Sequence, residues 1–226
     1  MAHSRPLDAV ELRLLGALME KERTTPEQYP LTVSALLTAC NQKTSREPVM
    51  ELSETVLVEA LDRLRAEVLV WRIDSARAER WRHCLDRRWQ LDTSGKLAVM
   101  ALLLLRGAQT AAELRTRSER LHRFASLDEV EAVLARLASE PDALVRELPR
   151  RPGQRETRWI HLAGTAEVQR ELEGGGEPRP VAAGLEPPEV GPGTGPTPLS
   201  ERVTRLEAQV AELVASLAEL RTRLGE

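Results

Sequence analysis

The sequence predicts a mainly α-helical protein with small β hairpins: two tandem winged-helix (helix-turn-helix-like) domains, a disordered linker and a short C-terminal coiled-coil helix. Three observations predict it. Helix caps and apolar stripes follow the order helix, helix, helix, strand, and that order occurs twice, over residues 7–91 and 92–165. Residues 174–198 hold 7 Gly and 7 Pro, too little apolar surface to fold. Beyond them, over 199–224, apolar residues recur at alternating spacings of four and three.

Asp8 and Glu11 form a capping-box pattern, so the first helix starts there, with Val10, Leu14, Ala17 and Leu18 on one side. Pro26 and Pro30 break it into an ordered loop around Tyr29. Thr32 caps a short second helix carrying Val33, Leu36, Leu37 and Cys40. Ser53 caps a third, with Val56, Leu57, Ala60, Leu61 and Leu64 inward. Val68–Trp71 reads as a strand, Arg72–Arg82 as a charged arm, and His83–Leu91 as the segment returning from it.

The order then repeats. Thr93–Arg106 is an apolar helix closed by Gly107. Thr110 with Glu113, and Ser126 with Glu129, form two more capping boxes. Ala143–Leu148 and Thr157–Leu162 alternate as strands about a turn at Arg151–Gln154. In the tail, Val203, Val210, Leu217 and Leu224 share one heptad position, and Leu199, Leu206, Leu213 and Leu220 share the other. Valine opposite a leucine register favours a parallel two-stranded coil, hence a homodimer.

The chain of 226 residues is 42% hydrophobic with a formal net charge of -3, so no global charge drives it to nucleic acid or membrane. Its two cysteines make no disulfide framework, and Leu97–Leu105 is about half a bilayer span. A cytoplasmic protein is expected. His3, His83, His122 and His161 lack partners at ligand or base spacing, and no Gly-rich phosphate loop occurs. Neither a catalytic site, nor a metal, nor a cofactor is therefore expected.

The blocks Thr25–Leu31 and Ala39–Met50 (ACNQKTSREPVM), with Leu104–Thr110 and Glu113–Arg115, resemble the signature of an uncharacterised bacterial protein family. The resemblance spans roughly residues 7–163. It implies paired winged-helix-like domains and a short C-terminal coiled coil. It brings no activity and no site residues with it.

Two uses fit the polar stretch Asn41–Pro48. Asn41, Gln42, Lys43 and Arg46 would touch a phosphate or a partner, or they would cap the adjacent helices. Both third helices begin acidic, with Glu54 and Glu59 in one and Asp128, Glu129 and Glu131 in the other, so neither suits major-groove reading. The basic residues lie elsewhere. Arg115 and Arg117 sit on the second unit's second helix. Arg146, Arg150, Arg151, Arg155 and Arg158 decorate its hairpin. They serve either as phosphate contacts or as a mixed-charge surface paired with nearby glutamates. The expected function is DNA binding or a transcription-associated role. The alternative is a protein-interaction scaffold on the same fold.

Overall fold

Short-range capping chemistry decides where most helices begin, and a computed structural model shows it in place. The structure describes residues 5–74, 78–139, 143–150 and 152–174. Helix α1 (Ala9–Thr24) opens on a reciprocal box, with Glu11 N donating to Asp8 Oδ1 at 2.8 Å and Asp8 N to Glu11 Oε2 at 3.0 Å. Two donors that a helix start leaves orphaned are thereby satisfied. A single 3-10 turn, Pro26–Gln28, follows. Helices α2 (Val33–Cys40) and α3 (Glu54–Ala66) start on the side chains of Thr32 and Ser53.

The first hairpin differs from expectation. Strand β1 (Val70–Asp74) pairs antiparallel with β2 (Glu79–His83), Val70 facing His83. The charged arm is thus itself hairpin, and the stretch expected to return holds the short helix α4 (Leu85–Arg88) instead. The cause is burial. Trp81 and His83 point inward along β2, while Arg82 stays exposed. Leu31 exchanges backbone hydrogen bonds with Trp81 at 3.0 and 2.7 Å, which fixes the hairpin to the loop after α1.

Helix α5 (Ser94–Arg106), capped by Thr93, is buried over almost its whole length. Gly107 ends it at φ 70°, a conformation that side chains disfavour. Helix α6 (Ala111–Arg117) has the full box of Thr110 and Glu113. Helix α7 (Leu127–Leu137) keeps the Ser126 cap, but Glu129 reaches past it to accept from Ala125 N at 2.7 Å. Strands β3 (Val145–Leu148) and β4 (Arg158–His161) form the second antiparallel hairpin. Helix α8 (Ala166–Gly174) was not expected from the sequence. It is held by Val168, packed on the core, and by Gln169 Nε2 donating to His161 O at 2.9 Å. Gly174, the first residue of the expected linker, is its last. The rest of that linker, 175–198, and the heptads of 199–224 lie outside the described residues.

The protein is therefore mainly α with two 2-stranded antiparallel sheets. Its described residues fall in one compact unit whose core runs from Leu7 to Ala163. Helices α1 and α5 pack against each other at the middle of that core. Leu7 N donates to Ala163 O at 2.9 Å, and Glu47 N to Leu105 O at 2.8 Å, so backbone bonds also join the earlier and later elements. Among the described residues no helix is long and apolar enough to cross a membrane.

One buried group makes stability depend on pH. His161 is 2% exposed, and burial pushes its pKa down to about 4. In the unfolded chain an imidazole titrates near ~6.5. Between the two values the unfolded chain binds a proton that the folded chain refuses, so stability falls as pH drops from about 6.5 toward about 4. The lowered carboxylates Glu11, Glu20 and Glu22 lose their contribution only below the ordinary carboxylate value. Denaturant unfolding should show a loss of about 2 kcal/mol between about pH 6.5 and about pH 5. His161→Phe should flatten that slope; an equally steep variant would contradict the assignment.

Candidate functional site

The loop after α2 is built around two arginines that never reach the surface. Arg46 Nη2 and Nη1 donate to the two oxygens of Glu20 at 2.6 and 3.1 Å, and its Nε donates to Ala39 O at 3.0 Å. Burial alone would raise the Glu20 pKa, but the hydrogen bond and charge of Arg46 outweigh it and hold the carboxyl below its ordinary value. Arg13, 1% exposed, donates to Cys40 O at 3.2 Å and Pro48 O at 2.5 Å, tying both ends of the loop to α1. Burial pushes the Arg13 pKa down to about 10 and the neighbouring Cys40 thiol up to about 12. A thiol so raised is a core group and a poor nucleophile at neutral pH.

Of the four loop residues with two candidate uses, the structure separates two pairs. Asn41 clamps the loop, donating to Leu52 O at 2.9 Å and accepting from Leu52 N at 2.8 Å. Arg46 is spent on Glu20. Gln42 and Lys43 instead line a cleft, with Lys43 exposed.

The basic residues of the later elements divide in the same way. Arg158 donates to Ala108 O at 2.9 Å and to Glu113 Oε2 at 2.7 Å. Arg117 donates to Gln109 Oε1 at 2.9 Å and to Glu113 Oε1 at 3.3 Å. Arg146 pairs with Glu173 of α8. Arg150 and Arg155, in the connection between β3 and β4, are exposed and carry no ion pair among the described residues. Arg115, Arg120 and Arg123 are likewise exposed without an ion pair there, though Arg115 leans on Ala125 O at 3.4 Å. Arg151 lies outside the described residues.

The faces of α3 and α7 turned to solvent carry acid. Glu54, Glu59 and Asp62 are exposed on the first, and Asp128, Glu129 and Glu131 on the second. Arg63 of α3 is engaged by Asp8 at 2.8 Å and Glu11 at 3.1 Å. Trp81 and Trp89 are both 3% exposed, so the segment between them offers no stacking platform. Trp71 is the exception among the tryptophans, at 57% exposed. Among the described residues no group of three or more His, Cys, Asp or Glu side chains gathers in a metal-binding arrangement.

A cleft of about 820 Å³ is the feature that sequence reasoning missed. Six cations line it: Lys21 and Arg23 from the end of α1, Lys43 from the loop, Arg106 from the end of α5, and Arg117 and Arg120 around the end of α6. Glu20 is the one carboxylate among its lining residues, and it is already held by Arg46 at 2.6 Å and Lys21 at 3.3 Å. Lys21 and Arg23 read in sequence as an ordinary basic helix end, because their neighbours in the cleft come from three other segments.

Comparison with known proteins places the chain in a family. A family model described as "Protein of unknown function, DUF480" matches residues 7–154. A UPF0502 protein of Dechloromonas aromatica is 46% identical over 97% of this chain and 98% of its own length. UPF0502 proteins of Delftia acidovorans and Shewanella loihica are each 47% identical, covering 97% and 95% of this chain and 93% and 97% of their own lengths.

Proposed function

The chain belongs to the DUF480 family, and we propose that it is a nucleic-acid-binding protein that grips the phosphate backbone with exposed arginines of its later elements. The reading takes the two runs of elements as winged-helix domains. One is α1, α2, α3 and the β1–β2 hairpin; the other is α5, α6, α7 and the β3–β4 hairpin. It also takes residues 199–224 as a coiled coil that pairs two chains, in a cytoplasmic, non-enzymatic protein.

One observation carries it. Among the arginines of the α6 flank and the β3–β4 hairpin, Arg115, Arg120, Arg123, Arg150 and Arg155 are exposed and have no ion pair among the described residues, whereas Arg117, Arg146 and Arg158 are all paired. Unpaired guanidinium groups suit phosphate geometry and supply affinity without sequence preference. The acidic exposed faces of α3 and α7 repel a backbone, so the hairpin end and the α6 flank take that role. The rival reading, a protein-interaction scaffold, draws on the exposed Trp71, a side chain typical of binding hot spots.

Fluorescence anisotropy of a labelled random duplex with the full-length protein separates the two. We expect micromolar binding at low salt, weakening on the order of 10²-fold between about 50 and about 200 mM salt. Absence of salt-sensitive binding at micromolar protein would reject the nucleic-acid reading in favour of the scaffold.

A further inference from the structure

The cationic cleft is a second site, which shares Arg120 with the proposed backbone contacts but none of the hairpin arginines. We propose that it binds a small anion carrying two or more phosphate groups, such as a free oligophosphate or a nucleoside diphosphate. Size, charge and the state of one arginine support this. A hollow of about 820 Å³ has the size of a small-molecule site. Four of the six cations, Arg23, Lys43, Arg106 and Arg120, have no ion pair among the described residues, which exceeds what a single monoanion neutralises.

Arg106 shows that the charge is not balanced from within. Its Nη2 donates to Ser45 Oγ at 2.6 Å, but its Nε is buried with no hydrogen-bond partner. Its pKa is lowered, first by burial and then by the positive field of Arg117. Like charges crowded in a concave, partly desolvated space repel one another until an anion enters. A chain of phosphates bridging Lys43, Arg106 and Arg117 would relieve that repulsion with charge-assisted hydrogen bonds.

Gln42 and Thr44 add uncharged hydrogen-bonding groups at the rim. Leu102, Leu105 and Leu121 supply an apolar wall against which an organic part of the ligand rests. The cations come from both the earlier and the later elements, so one bound ligand ties α1 and its following loop to the ends of α5 and α6.

Calorimetric titration of the full-length protein with sodium tripolyphosphate, and separately with ADP, tests the proposal. Saturable binding of one tripolyphosphate per chain at near-physiological salt is expected, with a rise in melting temperature as the ligand is added. Lys43→Ala, on an exposed loop side chain, and Arg106→Gln should each weaken it about tenfold. The double variant Arg150→Ala/Arg155→Ala should leave it unchanged, which keeps this site distinct from the backbone-binding reading. Equal affinity for the two probes would mean that phosphate alone is read; tighter ADP would mean that the leucine wall holds the nucleoside. No saturable binding of either probe at millimolar concentration would overturn the proposal. So would an equal loss in the hairpin variant, which would mark unspecific surface attraction.

Discussion

Arg46→Ala is expected to lower the unfolding free energy by about 3–5 kcal/mol, the range for removing one member of a buried ion pair. The Arg46 side chain is fully buried and that of Glu20 is 14% exposed. Removing the guanidinium leaves the Glu20 carboxylate in a desolvated site with only Lys21 nearby at 3.3 Å, and leaves Ala39 O without its side-chain donor. It also removes the anchor of the loop that carries Gln42 and Lys43. The cost therefore comes from uncompensated charge and polar groups more than from lost attraction. Urea denaturation measures it. Neutralising both partners, as Arg46→Met with Glu20→Gln, should cost much less than the single change, because no stranded charge remains. A single-variant loss below about 1 kcal/mol would show that the pair contributes little.

Gly16→Val should cost about 2–3 kcal/mol by forcing α1 and α5 apart. A Cβ at Gly16 would lie 2.8 Å from Leu105 Cγ and 3.1 Å from Leu104 Cβ. Neither atom is the free end of a flexible side chain, so the helix axes must move. Gly16→Ala should lose less, since the higher helix propensity of alanine offsets part of the clash. The displacement should also disturb the cleft, because Leu102, Leu105 and Arg106 belong to the same helix. Thermal unfolding of the two variants beside the parent checks the order: valine lower than alanine, alanine at or below glycine. A valine variant as stable as the parent would show that α5 yields freely at this contact.

What the sequence reveals about the fold is mostly local chemistry. Asp8 with Glu11 and Thr110 with Glu113 form their boxes within one helical turn, so spacing alone exposes them. Gly107 closes α5 because its conformation depends only on its own φ. The second hairpin alternates visibly, and its strands lie where alternation puts them. The first hairpin hides its period, because along β1 the apolar Trp71 is the exposed residue while the charged Arg72 shares the face of buried Trp81. Helix α8 depends on contacts with His161 and the core that no local signal announces.

The candidate sites show the same division. Arg46 and Asn41 carry polar side chains in a polar stretch, yet their partners, Glu20 and Leu52, lie 26 and 11 residues away. Only the folded chain shows that they are spent on the loop. The cleft is harder still to foresee, since its cations come from four separate segments. Arg150 and Arg155 are legible as exposed charge because a turn between two strands has nowhere to bury it.

On the proposed function, the exposed arginines of the α6 flank and the β3–β4 hairpin that lie outside ion pairs hold a nucleic-acid backbone. The slope of log binding constant against log salt tests it most directly, because each released counterion contributes a fixed increment. Compared with the parent, the double variant Arg150→Ala/Arg155→Ala should have a slope shallower by about 1.8 and weaker binding to every duplex alike. An unchanged slope, or a change confined to particular sequences, would contradict the account.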